Sequence, residues 1–285
     1  VGDLARRRGA VVCTAAATLA DAADLLVLHN RSAAAVVGDD GALLGMVTEN
    51  DILHACSLGL SPTCGVDAWL HKHIARVPSE LLGSLTLRPS CTLPDAAALL
   101  RAQAASDWAF RHLVVLDGRG DLHGVLSSLD LALALCSAGA DGTAAEVLKP
   151  RCIVPVCSSS AALSHVLEQM SLSRQNCALI ADGEPTVSNL LGLVTPRDAL
   201  RAFAEHVPIT VQVGQWLRGL QASWEPRTVE CWEPISSCAA RMARDSVHHL
   251  VVVSADGLDI VGVLSSTDLA QVIGPAIGPT GGAAE

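Results

Sequence analysis

Aromatic residues and lysine are scarce in this sequence. Aromatic side chains make up 2% of its 285 residues, tyrosine is absent, and lysine occurs only as Lys72 and Lys149. Proteins that bind single-stranded nucleic acid stack bases on aromatic side chains and attract the phosphate backbone with positive charge. Because the net charge is −10, we do not expect nucleic acid as a partner. A few arginines can still hold a small anion.

Paired cysteines are also missing, although the chain has ten cysteines in all. No two of them form a CxxC motif, so the sequence predicts neither a zinc site nor a secreted disulfide framework, and we expect no metal cofactor. Single cysteines are typical of small buried side chains in a reducing compartment. We therefore expect an intracellular location, in the cytoplasm.

Long apolar runs are absent as well. No run approaches the ~18 residues that a membrane-spanning helix needs, so we expect no membrane span. The opening residues VGDLARRRGAVV lack the layout of a signal peptide, and they lack methionine, so further residues can precede them. The dense basic run Arg6–Arg8 within this opening is interpreted as a solvated surface.

One seven-residue phrase occurs four times, roughly 70–80 residues apart. Its copies are GMVTEND from Gly45, GVLSSLD from Gly124, GLVTPRD from Gly192 and GVLSSTD from Gly262. Each reads glycine, two aliphatic residues, Thr or Ser, two variable residues and Asp. One copy would be weak evidence, but four copies in one phase indicate an internal repeat.

The context of the phrase repeats too. An aliphatic run and an Asp/Gly turn precede each copy, which is typical of a β-hairpin. An Ala/Leu-rich helical pattern precedes the hairpin, and a second helical pattern follows the phrase. The sequence therefore predicts an α/β fold of four βαββα units, at residues 1–60, 61–139, 140–208 and 209–274, with a flexible Pro/Gly-rich tail at 275–285.

A short lead-in also recurs before each unit, and we expect it to form a helical turn that docks ahead of that unit. Trp69 and Trp216 occupy the same place in two of the lead-ins. Packing anchors are the preferred interpretation for both, over side chains that stack on a ligand.

These features resemble the CBS domain, and the resemblance covers nearly the whole chain. It implies that the units pair into two Bateman modules, about 1–139 and 140–274, which can stack as a flat disk. Among proteins with four such repeats, the layout is similar to the γ subunits of AMP-activated protein kinase and their plant relatives, and VHHLVVVSADGLDIVGVLSSTDL (247–269) is particularly similar to their fourth repeat. One departure is that none of the four middle strands carries the proline found in many CBS repeats.

The resemblance implies a regulatory protein that binds an adenine nucleotide, AMP, ADP or ATP, in clefts between paired repeats. Such a protein reports its ligand state to a protein partner, such as a kinase or a larger assembly, and it can form homodimers through its modules. A structural CBS scaffold with empty clefts is the alternative. We expect no enzymatic activity, because the repeats consume the chain and because GxGxxG, GxxxxGK[ST] and HExxH motifs are absent.

The repeated phrase can act in two ways. A helix N-terminus offers unpaired N–H groups that hold phosphate, with help from the Thr or Ser hydroxyl, while the Asp carboxylate can accept hydrogen bonds from ribose hydroxyls. The same Thr/Ser-x-x-Asp spacing also suits a capping box, which stabilises a helix by about 1 kcal/mol without any ligand. The sequence leaves both interpretations open.

Charge ranks the four copies. Glu49 beside Asp51 repels phosphate in the first copy, whereas Arg197 beside Asp198 makes the third copy the most competent. Basic residues before the middle strands are implied to contact phosphate. The candidate nucleotide-binding residues are Thr48, Asp51, Arg111, His112, Ser127, Asp130, Thr195, Arg197, Asp198, His248, His249, Ser265 and Asp268.

Overall fold

The four predicted units are present with their predicted order of elements. The computed structural model describes residues 1–74, 86–104, 111–139, 141–150, 153–173, 175–219 and 227–272. The predicted tail at 275–285 lies outside the described residues, as do residues 84–85 of an expected strand.

Helices flank every hairpin. In the described parts of the chain they are α1 (Gly2–Arg8), α2 (Leu19–Leu28), α3 (Glu49–Ser57), α4 (Val66–Ile74), α5 (Leu93–Ala104), α6 (Ser128–Ser137), α7 (Ala144–Val147), α8 (Leu163–Leu172), α9 (Pro196–Ala204), α10 (Val213–Gly219), α11 (Ile235–Arg244) and α12 (Ser266–Val272).

The strands form one small sheet in each repeat. They are β1 (Val12–Thr14), β2 (Ala33–Val37), β3 (Leu43–Thr48), β4 (Thr86–Leu87), β5 (His112–Leu116), β6 (Leu122–Ser127), β7 (Lys149–Pro150), β8 (Val156–Cys157), β9 (Ala178–Ala181), β10 (Leu190–Val194), β11 (Thr228–Glu230), β12 (His249–Val253) and β13 (Ile260–Ser265).

The four sheets share one three-stranded topology, to which β7 adds a fourth strand in the sheet of repeat 4 by pairing antiparallel with β13. The middle strand pairs in parallel with the strand before it and antiparallel with the strand after it, as β1, β2 and β3 do in the first repeat. The middle strands β2, β5, β9 and β12 are buried along almost their whole length, which explains their continuous aliphatic sequence. Each repeat therefore ends its hairpin where the next helix begins, and this is where the repeated phrase lies.

The repeats pack in a ring of four contacts. Helices of repeats 1 and 3 share one core and helices of repeats 2 and 4 share another. Sheets of repeats 1 and 2 meet through Ala35 and Val125, and sheets of repeats 3 and 4 meet through Leu179 and Val251. Buried apolar area is the main stabilising contribution to such contacts. The sheet contacts thus join consecutive repeats, and the helix contacts join the two halves of the chain.

The lead-in helices dock differently from the expectation. Each one packs on the other repeat of its pair, not on the repeat that it precedes. Trp69 of α4 is buried in the core of repeats 1 and 3, and Ala5 of α1 is buried in the core of repeats 2 and 4. Gly2 of α1 donates its N–H to Pro89 O in repeat 2, and Gly214 of α10 does the same to Ser159 O in repeat 3. This exchange ties consecutive repeats together.

The exchange leaves no room for a side chain at Gly124 of β6, where α1 crosses the strand. A Cβ atom at this position would lie 2.6 Å from the backbone oxygen of Ala5. We predict that Gly124→Ala lowers the free energy of unfolding by about 1–3 kcal/mol, because backbone must shift to admit the methyl group. Gly118→Ala in the turn of the same hairpin is the control, since a Cβ there meets nothing within 4 Å. Equal unfolding midpoints in urea for the two variants would contradict the packing described for α1.

Candidate functional site

The four phrases start their helices with one shared hydrogen-bond pattern. In each, Oδ2 of the Asp accepts from the backbone N–H and from the hydroxyl of the Thr or Ser three residues earlier. The N–H and hydroxyl distances to Asp198 are 2.8 and 2.7 Å from Thr195, and those to Asp51 are 2.7 and 2.6 Å from Thr48. Ser127 with Asp130 and Ser265 with Asp268 form the same pattern. The capping box that the spacing allowed is therefore present in all four copies.

The second carboxylate oxygen distinguishes the copies. Oδ1 of Asp51 accepts from the indole N–H of Trp69 at 3.2 Å, so both oxygens of Asp51 are used by the protein. Oδ1 of Asp130 forms an ion pair with the guanidinium of Arg8. Within the described residues, no hydrogen bond or ion pair reaches Oδ1 of Asp198. Asp198 thus has acceptor capacity left for a ligand.

A cavity of about 360 Å³ lies beside the phrase of repeat 2. Its walls come from the segment before β1, the segment before β2, and the start of α6. The residues among these that carry charge or hydrogen-bonding groups include Arg8, Arg31, His112, Ser127, Asp130, Arg197 and His248.

A larger cavity of about 420 Å³ lies beside the phrase of repeat 3 and extends to the junction of all four repeats. Thr195 and Asp198 line it at the start of α9. Its other polar lining residues include Thr48, Glu49, Arg111, His112, Ser127, Asn176, Arg197, Arg201, Arg227, His248, His249 and Ser266.

Burial makes the two central histidines neutral at pH 7. Desolvation, with Arg111 and His248 nearby, lowers the pKa of His112 to about 3, and its Nε2 lies 2.8 Å from Ser32 Oγ. Desolvation also lowers the pKa of His248 to about 4, and its Nδ1 lies 3.3 Å from Ser266 Oγ. These rings act as neutral hydrogen-bonding groups here, and the positive charge is supplied by the arginines.

Arg111 is the buried cation at the junction. Desolvation lowers its pKa to about 10, and Asp268 and Glu49 oppose this, so the guanidinium stays charged at pH 7. Its Nε is buried and has no hydrogen-bond partner in the described parts of the chain. An unpaired buried donor costs free energy, so this atom is a candidate for contact with an anion.

Glu49 and Arg197, whose charges ranked the first and third copies in the sequence, lie together in the structure. The two residues belong to repeats 1 and 3, yet Arg197 Nε lies 2.5 Å from Glu49 Oε1. Burial raises the pKa of Glu49 to about 7, although the positive charges of Arg197 and Arg111 act against this rise. The cation that favoured the third copy is therefore held by the anion that disfavoured the first.

Most of the predicted residues come together, but three do not line either cavity. Asp51, Ser265 and Asp268 are absent from both linings, whereas the other ten line at least one.

Desolvation raises the pKa of Asp198, although Thr195, Arg201 and Arg197 act to lower it.

Arg8 and Arg227 line the cavities without having been predicted as site residues. Arg6, Arg7 and Arg8 are all exposed, as the sequence predicted, and Arg8 in addition forms an ion pair with the buried Asp130. Arg227 directly precedes β11, as Val11 directly precedes β1. Residues just before the first strand of a repeat line a cavity in both cases, so this position in the repeat is the sequence signal that could have predicted these lining residues.

The described residues contain no group of three His, Cys, Asp or Glu side chains arranged to hold a metal ion. None of their helices has both the length and the apolar character needed to cross a membrane.

Comparison with known proteins identifies the repeat. The model of the CBS domain matches residues 1–58, 79–137 and 233–274, more than half of the chain. Repeat 3 is outside these matches but has the same order of elements as the others.

Two solved structures and one curated relative are similar over long stretches. A Methanocaldococcus jannaschii protein, proposed as an archaeal homologue of g-AMPK, is 16% identical with a TM-score of 0.69 over 95% of this chain and 98% of its own. An uncharacterized conserved protein from Pyrococcus horikoshii is 21% identical with a TM-score of 0.57 over 96% and 99%. An uncharacterized 17.7 kDa protein of Acidianus ambivalens is 27% identical over 49% of this chain and 77% of its own. The structural likenesses show a shared fold.

The raised pKa of Glu49 predicts a pH dependence of stability. Between about pH 4.5 and 7 the folded chain keeps Glu49 protonated while the unfolded chain does not, so this residue makes stability fall as pH rises. His112 and His248 have lowered pKa values and act in the opposite direction between their folded pKa values and 6.5. Glu49→Gln removes only the first contribution. Its unfolding free energy, measured in urea from pH 5.5 to 6.5, should rise more steeply than that of the wild type, by about 1.4 kcal/mol per pH unit. Parallel curves would show that Glu49 is ionised throughout.

Proposed function

This chain belongs to the CBS domain family, and from that premise we propose that it is a regulatory protein that binds an adenine nucleotide. AMP, ADP or ATP is the ligand class that we propose, with the larger cavity as the principal site. The bound state would be communicated to a protein partner such as a kinase. The proposed role is one of binding and not of catalysis.

The observation that carries this proposal is the free oxygen of Asp198. Its Oδ2 satisfies the start of α9, so the helix does not need Oδ1. A ribose diol supplies two hydroxyl donors, and a carboxylate oxygen in a partly buried cavity is a strong acceptor for them. The adjacent phosphate would then lie toward the N–H groups at the start of α9 and toward the arginines of the same cavity.

The charge and size of the cavity support the same ligand class. Arg111, Arg197, Arg201 and Arg227 all line it, and cationic donors offset the desolvation of a phosphate. Its volume of about 420 Å³ falls in the usual range of ~300–1,000 Å³ for small-molecule sites. Size does not select among the three nucleotides, but their different charges can.

The position of the cavity supports a regulatory role. Its lining comes from all four repeats, for example Thr48, Arg111, Asp198 and His249. A ligand that contacts both halves of the chain can bind one relative arrangement better than another, and it shifts the population toward that arrangement. A partner protein that recognises the arrangement would then respond to the ligand.

A structural scaffold is the second candidate, and specific contacts favour it. The indole of Trp69 donates to the second oxygen of Asp51, and Arg8 forms an ion pair with the second oxygen of Asp130. Glu49 forms an ion pair with Arg197. Each of these contacts satisfies a group that a nucleotide would otherwise use. Calorimetric titration of nucleotide-stripped protein with AMP, ADP, ATP and S-adenosylmethionine separates the candidates. Binding supports the regulatory proposal, and absence of heat with all four ligands supports the scaffold.

A pair of aspartate variants locates the site. We predict that Asp198→Ala weakens AMP binding by roughly 10–100-fold, because a charged hydrogen bond to ribose is lost. Asp21→Ala is the matched control: Asp21 forms the same capping box with Thr18 at the start of α2 and lines neither cavity. Each variant loses one box, at about 1 kcal/mol of stability, but only the first should lose affinity. If calorimetry gives equal AMP affinities for the two variants, the ribose does not bind at Asp198.

A further inference from the structure

Glu49 lies in the lining of the larger cavity together with four arginines. It is the first residue of α3, directly after the Thr of the first phrase, and its side chain is 11% exposed. It reaches across the junction from repeat 1 to Arg197 of repeat 3, at the 2.5 Å separation of Nε and Oε1. The lining of the larger cavity includes both side chains.

Arg197 belongs to both cavities. It lines the smaller cavity beside Asp130 as well as the larger one beside Asp198. Its Nη1 donates to Oδ1 of Asn30 at 2.9 Å, which fixes the guanidinium between the two spaces. One cation, held by one carboxylate, is therefore shared by two candidate ligand sites.

We infer that Glu49 is a specificity-determining residue whose carboxylate competes with ligand phosphate for Arg197 and so sets the charge preference of the site. This inference rests on the proposed function, because it concerns the ligand of the same cavity. A phosphate that approaches Arg197 must displace Glu49 or lie beside it. Lying beside it brings like charges together in a partly buried place, which is unfavourable.

The penalty grows with the charge of the ligand. Adenosine carries no phosphate and does not meet Glu49 electrostatically, whereas AMP, ADP and ATP carry increasing negative charge. The other ionisable groups near Glu49 are Arg111, Arg197 and Asp198, and Asp198 adds to the repulsion. The carboxylate thus works against ATP more than against AMP, in a cavity whose arginines alone would favour ATP.

The test compares Glu49→Gln with wild type by calorimetry at pH 8, where Glu49 is mostly ionised, using adenosine, AMP and ATP. Glutamine keeps the size of the side chain and removes its charge. We expect roughly tenfold tighter AMP binding, a larger gain for ATP, and adenosine unchanged within about twofold. Glu49→Asp keeps the charge but is one methylene shorter and reaches Arg197 less closely, so its affinities should fall between those of Glu49→Gln and the wild type. Glu233→Gln is the matched control, because Glu233 also lies near an arginine, Arg241, at 3.7 Å but lines neither cavity.

The outcomes separate this inference from the proposed function. Equal nucleotide affinities for wild type and Glu49→Gln would overturn the role of Glu49 and leave nucleotide binding intact. Weaker AMP and ATP binding by Glu49→Gln would also overturn it, since the carboxylate would then support binding. If no adenine compound binds any variant, the proposed function fails. Inorganic pyrophosphate then still tests Glu49, because it should raise the melting temperature of Glu49→Gln more than that of the wild type, and equal shifts would overturn the inference.

A measurement on the unaltered chain covers the case in which Glu49→Gln does not fold. The carboxyl carbon of Glu49, assigned by its loss in Glu49→Asp, reports its ion pair in a ¹³C spectrum. Saturating pyrophosphate should change this chemical shift because Arg197 is taken from Glu49, and adenosine should leave it unchanged. An unchanged shift with pyrophosphate at saturation would overturn the competition.

Discussion

Each aspartate of the repeated phrase must satisfy the start of its own helix before it can serve a ligand. One carboxylate oxygen accepts from the backbone and hydroxyl of the preceding Thr or Ser, as Asp198 does from Thr195. The second oxygen decides what else the residue can do. The indole of Trp69 takes it in Asp51 and the guanidinium of Arg8 takes it in Asp130, whereas no group of the described residues takes it in Asp198, which lines the larger cavity. In the proposed function, capping and binding are therefore two uses of one side chain.

The ring of repeats brings together charges that are far apart in the sequence. Helix contacts join repeats 1 and 3, and they set Glu49 against Arg197 and Asn50 against Asn176. Four copies of one phrase thus yield unequal sites, because variable residues of one copy, such as Glu49 and Asn50, meet residues of another repeat. The pairing of Glu49 with Arg197 partly neutralises the junction, and under the proposed function it would also set a preference among anions.

The sequence predicted the hairpins and helices well because their signals are local and recur four times. Gly and Asp residues mark the turns, and Thr195 with Asp198 marks a helix start at fixed spacing. Contacts between repeats have no such signal. The pairing of Glu49 with Arg197, the docking of Trp69 on the preceding repeat, and the ion pair of Arg8 with Asp130 depend on how whole repeats pack. Asp198 could be ranked first from charge, but the reason found in the structure is its free oxygen.

The central claim is that Asp198 keeps its capping role and binds ribose at the same time. A crystal structure of the chain with AMP tests this most directly. The account predicts a ribose hydroxyl within hydrogen-bonding distance of Asp198 Oδ1, with Oδ2 still bonded to Thr195. AMP bound with its ribose away from Asp198, or saturating AMP with no nucleotide in the larger cavity, would contradict it.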